Sequence, residues 1–125
     1  MSTKRIHEQV RAEDALAKVK LIRGTEDKYG SYVNSLPASI VMNGLGQAMA
    51  TEASSKGEHK KLYDNLSTWL CGEDGPYRGG SDLLDSIVKN GQEDYLRAQA
   101  EALAWLNWHK KFCRAYLKQD GDRSD

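Results

Sequence analysis

Proline, cysteine and long apolar runs are scarce in this 125-residue chain, which has two prolines and two cysteines. Scarce proline permits long helices, because proline interrupts a helix interior. Cys71 and Cys113 lack the spacing of a zinc site or a disulfide framework, so we expect packed thiols in a reducing compartment. No segment has the roughly 18 consecutive apolar residues of a membrane span or the apolar run of a signal peptide. We therefore expect a cytoplasmic protein with no membrane partner.

Charge is balanced over the whole chain, with 18 lysines and arginines against 18 aspartates and glutamates. The net charge therefore neither favours nor excludes a nucleic-acid partner, and only local segregation of charge does so. The length fits one domain that buries roughly two thirds of its unfolded surface. We assign that domain to residues 1–119 and a disordered polar tail to residues 120–125.

Apolar residues recur at helical spacing along most of the chain, and no segment alternates as a strand does. We predict an all-α fold, a compact single-domain bundle of about five to seven helices with a long C-terminal helix. Pro37 is predicted to end one short helix and to begin the next, where its missing N–H costs little. The segment 72–80, with four glycines and Pro76, is predicted to be a flexible connection. The predicted helices span about 4–23, 26–36, 38–53, a stretch ending before Gly72, 83–88 and 92–118.

Gly44 and Gly46 interrupt the helical spacing of residues 38–53. In a helix interior each glycine costs roughly 1 kcal/mol relative to alanine. Either Asn43-Gly44 ends one short helix before another begins, or the glycines allow a second helix to approach closely. The sequence does not decide between these two interpretations.

The first predicted helix is apolar on two sides. Such a helix is either enclosed within a bundle or keeps one side for another protein. One stripe comprises Ala12, Ala15, Leu16, Val19 and Ile22. The other, called the α1 stripe below and taken as the candidate subunit interface, comprises Ile6, Val10, Ala17 and Leu21.

The long C-terminal helix separates apolar and basic residues onto different faces, at about 100° per residue. The apolar side comprises Tyr95, Ala102, Trp105, Leu106, Phe112, Cys113, Tyr116 and Leu117. The opposite side, near the helix end, carries Lys110, Lys111, Arg114 and Lys118. The helix dipole also favours basic residues there, by about 0.3–1 kcal/mol each without any ligand. The basic cluster is therefore either a contact for a polyanion or an ordinary helix end.

A second basic cluster lies at the start of a predicted helix, where the dipole disfavours cations. It comprises Lys56, His59, Lys60 and Lys61, and only Glu58 compensates locally. Lysines beside the free N–H groups of a helix start suit a phosphate, although a solvated loop is the alternative. Aromatic residues are mostly placed by their spacing in the apolar stripes and not among the basic residues, which favours contact with a nucleic-acid backbone over stacking on bases.

Residue patterns of catalysis, metal binding and cofactor binding are absent from the sequence. His7, His59 and His109 are scattered, and none has a second histidine at zinc-binding spacing. Gly44–Met49 has the glycines of a dinucleotide loop but follows no strand, and Asp120–Asp122 is too short for a calcium loop. We expect no catalytic residue, no metal and no cofactor. His109 is expected to be a buried, hydrogen-bonded histidine.

Three segments together resemble the small subunit of Cmr-type (type III-B) CRISPR RNA-guided effector complexes. Leu36-Pro37, Ile40 and the run from Asn43 to Ala48 resemble the central signature of that family. The run from Tyr95 to Phe112 is similar to its C-terminal helix, and the run from Arg11 to Ile22 to its first helix. The resemblance covers about residues 5–118 and lies in the order and spacing of structural motifs.

This resemblance implies a compact helical protein without enzymatic activity. Copies of such a subunit stack head to tail into a minor filament beside the backbone subunits that hold the guide RNA, with a large signalling subunit at one end. Target RNA, paired with the guide, runs in the groove that the small subunit lines with basic residues. We place the expected RNA contacts on Lys110, Lys111, Arg114, Lys60 and Lys61.

Two other functions remain open on the sequence alone. One is a free-standing helical adaptor that binds only protein, in which the basic residues merely terminate helices. The other is a small helical enzyme that uses His109 or His59.

Overall fold

The computed structural model describes residues 4–22 and 27–117, and these form six helices and no strand. The helices are α1 (His7–Lys20), α2 (Asp27–Asn43), α3 (Leu45–Ser54), α4 (Glu58–Leu70), α5 (Leu83–Lys89) and α6 (Gln92–Tyr116). The predicted all-α fold with a long C-terminal helix is confirmed. The predicted tail 120–125 lies outside the described residues, and the assignment of one domain to residues 1–119 stays a prediction.

The central element is α6, against which α1, α2 and α4 all pack. Most of the apolar side predicted for α6 faces the core, since Ala102, Trp105, Leu106 and Cys113 are buried. Tyr116 is the exception and is exposed. The helix anchors the core with one face, as its residue spacing predicts.

The first helix runs parallel to α6. Near its start, Arg11 donates hydrogen bonds to Glu101. Near its end, the Lys20 ammonium lies 5.7 Å from the centre of the Tyr116 ring. The end of α1 therefore lies beside the end of α6.

The fourth helix runs antiparallel to α6. Asn65, in the middle of α4, donates to Tyr29 Oη at 2.9 Å, and Tyr29 Oη lies 2.7 Å from His109 Nε2. Trp69, near the end of α4, instead reaches Glu101, which is closer to the start of α6. The first residues of α4 therefore lie at the same end of the bundle as the last turns of α6.

The break predicted at Pro37 is wrong, because α2 continues through this residue to Asn43. Pro37 has no N–H to donate to the carbonyl of Val33, which weakens the helix locally. Val33, Leu36 and Ile40 nevertheless lie on one side of α2 and are buried. Burial of this side offsets the missing hydrogen bond, so packing overrides the local preference of proline.

The interruption occurs instead at Gly44, whose φ of 87° is accessible to glycine at little cost. A Cβ on Gly44 would lie 3.0 Å from Tyr95 Oη, so the position also needs a small residue. Two side chains of α6 then cap α3, since Leu45 N–H donates to Gln99 Oε1 at 2.9 Å and Gly46 N–H to Tyr95 Oη at 3.0 Å. Both interpretations of the glycine pair therefore hold. Gly44 separates α2 from α3, and both glycines allow Tyr95 of α6 to approach closely.

The glycine-rich segment 72–80 is packed onto the bundle, contrary to the flexible connection we expected. Tyr77 is buried, and its N–H donates to the Leu70 carbonyl at 2.9 Å. Gly79 N–H donates to the Cys71 carbonyl at 3.1 Å. A Cβ on Gly75 would overlap the Leu70 carbonyl oxygen, so this glycine allows two turns of backbone to meet.

Candidate nucleic-acid interface

Of the four basic residues predicted on this face of α6, Lys110, Lys111 and Arg114 lie in its last turns, and Lys118 lies outside the described residues. Lys111 and Arg114 are exposed, and Lys110 is half-buried. Within residues 4–22 and 27–117, no acidic side chain forms an ion pair with any of the three. Their charges are therefore available to an external anion.

The neighbouring segments extend this region of positive charge. Because α1 ends beside α6, residues 15–22 and 102–117 form one end of the bundle, which we call the cationic end. These two segments contain no aspartate or glutamate. Their basic residues are Lys18, Lys20, Lys110, Lys111 and Arg114. Of these, Lys18 is paired with Asp14 at 2.8 Å.

The basic residues predicted at the start of α4 lie at the same end of the bundle but have closer partners. Lys60 Nζ lies 2.9 Å from Asp64 Oδ1 and 5.6 Å from the centre of the Tyr63 ring. Lys61 is half-buried and makes contacts of its own. The fold thus brings both predicted clusters to one end of the bundle. The basic residues on α6 have fewer partners within the described chain than those on α4.

His59, beside these lysines, is held by two contacts. Its Nδ1 lies 2.8 Å from Glu52 Oε1. Its ring stacks on Tyr32, with ring centres 3.6 Å apart and planes 14° apart. Glu52 is buried, so this pair joins the last turn of α3 to the first turn of α4. The described contacts give His59 a structural role.

His109 is fully buried, as predicted, and its hydrogen bonds define its tautomer. The Ala15 carbonyl, 2.9 Å from Nδ1, only accepts, so Nδ1 carries the proton. Tyr29 Oη then donates to Nε2 and accepts from Asn65. Burial lowers the pKa of His109 to about 4, with a smaller contribution from nearby Lys18. At neutral pH the ring is a neutral link between α1, α2 and α6, and it stacks on Trp105.

Sequence reasoning missed the most connected charged residue, Glu101. Its carboxylate accepts two hydrogen bonds from Arg11, at 2.6 and 2.8 Å, and one from Trp69 Nε1 at 2.9 Å. His7 Nε2 lies 3.1 Å away. Burial raises the pKa of Glu101, and the hydrogen bonds from Arg11, Trp69 and His7 outweigh that effect, so its pKa lies below the usual value. These residues join α1, α4 and α6 at the edge of a cleft of about 420 Å³.

The two stripes predicted on α1 separate as expected for a helix with one buried side. Ala15, Val19 and Ile22 of the first stripe are buried. In the α1 stripe, Ile6 and Leu21 are 64% and 67% exposed, Ala17 is exposed, and Val10 is half-buried. Ile6, Ala17 and Leu21 are thus on the surface, Val10 packs partly against the core, and the use of the stripe as a subunit interface stays a prediction.

Neither a metal centre nor a membrane span is found in the part of the chain that the structure describes. No three histidine, cysteine, aspartate or glutamate side chains there are grouped to hold a metal ion. No described helix combines the length and the apolar composition needed to cross a bilayer.

Comparison with known proteins identifies the family. The family model described as CRISPR-associated protein (Cas_Cmr5) matches residues 7–116. The chain belongs to the Cmr5 family. A curated Cmr5 relative from Thermus thermophilus, named CRISPR system Cmr subunit Cmr5, is 30% identical over 118 residues, covering 92% of this chain and 99% of that protein.

A solved structure agrees with this Cmr5 assignment. The crystal structure of a CRISPR-associated Cmr5 family protein from Thermus thermophilus is similar to this fold, with a TM-score of 0.75 and 31% sequence identity. The match covers 89% of this chain and 97% of that one. The family resemblance seen in the sequence is confirmed, and the chain is a Cmr5-type subunit of a CRISPR Cmr complex.

Proposed function

We propose that this chain is a non-catalytic, cytoplasmic small subunit that holds target RNA, paired with guide RNA, through sequence-independent contacts to the sugar-phosphate backbone. Copies of the chain stack into a minor filament beside the backbone subunits, with the large signalling subunit at one end. Base pairing with the guide supplies sequence recognition, so this subunit needs only to recognise charge and shape.

The observation that carries the RNA contact is the segregation of charge at the cationic end. Lys110, Lys111 and Arg114 project from a stretch of α6 without acidic residues, and no described side chain pairs with them. A phosphate backbone binds such a surface by releasing its condensed counterions. Trp105 and Tyr29 are in the core, whereas Tyr116 is exposed at the cationic end with its ring beside the Lys20 ammonium, and the proposal assigns the main contact to the three cations.

Lys60 and Lys61 add to the same end of the bundle. An exposed ion pair such as Lys60–Asp64 contributes little to stability and yields readily to a phosphate. These two residues are therefore secondary contacts in the proposal.

The surroundings of His109 and His59, the two histidines considered for catalysis, support a non-catalytic role. His109 is enclosed by Tyr29, Ala15 and Trp105, out of reach of a substrate. His59 is paired with Glu52 and stacked on Tyr32. A His59→Gln complex should cleave target RNA at the wild-type rate, and a large loss of cleavage would favour an enzymatic role.

The test of RNA binding uses the assembled complex, purified through another subunit. Lys110→Gln, Lys111→Gln and Arg114→Gln are combined, and target RNA affinity is measured over a series of salt concentrations with two unrelated guide–target pairs. Each lost phosphate contact removes about 0.7 from the slope of log affinity against log salt, so a decrease of about 2 is expected for both sequences.

A matched control removes three cations from another part of the surface. Arg78, Lys89 and Arg97 are exposed and lie in the segment 71–97, so their replacement by glutamine changes the net charge equally. The control should leave the salt slope unchanged. A loss confined to one RNA sequence would contradict backbone binding, and equal slopes for both triple variants would favour a protein-only adaptor.

A further inference from the structure

The large apolar side chains left exposed fall into two groups. Among the described residues there are seven such side chains. The first group comprises Val41, Met42, Val88 and Leu96, and we call it the corner patch. The second comprises Ile6 and Leu21 of the α1 stripe together with Tyr116.

The corner patch surrounds a single meeting point of α3, α5 and α6. A Cβ on Gly46 would lie 3.6 Å from Tyr95 Oη and 3.7 Å from Ile87 Cγ2, so these three residues meet. Leu96 follows Tyr95 and Val88 follows Ile87 in the chain, and α2 ends beside the same point. Met42 is 80% exposed and Val88 79%, so both apolar side chains are accessible to a partner.

Leu21 and Tyr116 of the second group lie toward the opposite end of α6, whereas Ile6 lies at the start of α1, next to His7, which contacts Glu101. Leu21 directly follows Lys20, whose ammonium contacts the Tyr116 ring. Leu96 and Tyr116 are separated by about 30 Å along the helix, at 1.5 Å per residue. The two apolar surfaces are therefore far apart and unlike in composition.

Charge differs between these two surfaces in a complementary way. No charged residue occurs between Tyr29 and Thr51, a segment that includes Met42. The segment 71–97, which carries Val88 and Leu96, has an acidic excess: Glu73, Asp74, Asp82, Asp85, Glu93 and Asp94 against Arg78, Lys89 and Arg97. The opposite end is the cationic end, whose two segments lack acidic residues. Among the described residues, the segment 71–97 thus has a net negative charge and the segments 15–22 and 102–117 have a net positive charge, while Glu58 and Asp64 of α4 also lie at the cationic end.

We propose that the corner patch binds the Leu21 end of the α1 stripe on the next copy of this chain, head to tail. The inference rests on the proposed stacking of copies and assigns the second surface of that contact. Two unlike surfaces at opposite ends produce a heterologous contact, which repeats along an open stack and does not close as a symmetric dimer. The opposite net charges of segment 71–97 and of segments 15–22 and 102–117 orient one copy on the next, and the apolar side chains supply the buried contact.

Cysteine cross-linking in the assembled complex tests this arrangement. Leu21→Cys and Met42→Cys are introduced together in a Cys71→Ser background, which removes the half-exposed native thiol. The complex is treated with a short bis-maleimide and analysed on a denaturing gel. A ladder of two, three and more linked chains is expected, whereas each single-cysteine variant should remain unlinked. Native mass spectrometry of the complex counts the copies present.

A matched control pairs Leu21→Cys with Thr68→Cys, because Thr68 is exposed on α4 and lies outside both surfaces. This control should give no ladder. Linked dimers from a single-cysteine variant would show a symmetric contact and overturn the inference. Two or more copies per complex without a ladder would overturn the inference and leave the stacking proposal intact. A single copy per complex would contradict the stacking proposal itself.

Discussion

The basic residues on α6 and those on α4 look alike in sequence and differ in their surroundings. Lys110 and Lys111 lie in a stretch without acidic residues and have no ion pair within the described chain. On α4, Lys60 is paired with Asp64 and lies over the Tyr63 ring, and neighbouring His59 is paired with Glu52. Residue type alone therefore does not show whether a cation is available to a ligand.

The helix dipole explains why the two clusters differ. Cations in the last turns of α6 are favoured by the dipole and need no acidic partner. Cations in the first turns of α4 are disfavoured, and the fold supplies Asp64 and Glu52 nearby. The unfavourable placement of cations at the start of α4, which suggested a phosphate site there, is thus partly offset by these acidic residues. The surroundings therefore favour α6 as the main RNA contact.

The hydrogen bonds from Asn65 to Tyr29 and from Tyr29 to His109 place the two clusters at one end of the bundle. Acid should weaken these hydrogen bonds by protonating His109. The pKa of His109 is about 4 in the folded protein, below the usual 6.5, so the unfolded chain takes up the proton first. Stability should be complete above about pH 6.5 and fall by about 3 kcal/mol as the pH decreases to about 4, at 1.36 kcal/mol per pKa unit. Urea unfolding at several pH values measures this decrease.

His109→Asn tests the origin of that acid sensitivity. Asparagine keeps a donor near the position of Nδ1 and cannot titrate in this range. The variant should be less stable at neutral pH, and its stability should change little between pH 6.5 and about 4.5. A wild-type slope that persists in the variant would assign the acid sensitivity to other groups. Glu101 should contribute only at lower pH, because its pKa is already below the usual value.

The comparison of the clusters is sharpened by neutralising the α4 lysines. Lys60→Gln with Lys61→Gln should reduce the salt slope of target RNA binding by about 1 or less, against about 2 for the α6 triple variant. The reason is that Asp64 already competes for Lys60. Salt titration of the assembled complex measures both values. A larger effect from the α4 pair would reverse the order of the clusters.

The smallest effect is expected from freeing Lys60. Asp64→Asn removes its ion pair, which as an exposed i,i+4 pair is worth about 0.3–0.5 kcal/mol, so target RNA should bind about twofold more tightly at low salt. Asp85→Asn is the matched control, because it removes the equivalent pair with Lys89 at 2.9 Å on α5. Equal gains from both variants would indicate a general charge effect and not a local contact.

Residue spacing predicted those helices that bury one face in the core. The existence of two stripes on α1 and the buried position of His109 followed from periodicity, whereas the structure was needed to show which stripe is buried. The effect of Pro37 was predicted wrongly because the sequence does not show that Val33 and Ile40 are buried or that α2 packs against α3, α4 and α6. Local rules describe a single helix, and neighbouring helices can override them.

Contacts between distant parts of the chain were not predictable from local patterns. Glu101 is about ninety residues from Arg11 and resembles any acidic residue early in a helix. Tyr77 was assigned to a flexible connection because of the glycines in that segment, whereas the close approach at Gly75 allows the segment to pack with Tyr77 in the core. The Glu52 partner of His59 likewise depends on how α3 and α4 meet, whereas the i,i+4 spacing of Lys60 and Asp64 is a local pattern that the sequence analysis did not use.

Cross-linking of photoreactive target RNA in the assembled complex tests the RNA contact most directly. Target RNA containing 4-thiouridine is paired with the guide, irradiated and digested, and the linked peptides of this subunit are identified by mass spectrometry. Linked peptides should contain residues 110–114 of α6, for more than one target sequence. Linkage confined to the acidic segment 71–97, or no linkage to this subunit at any target position, would contradict the proposed grip on the RNA backbone.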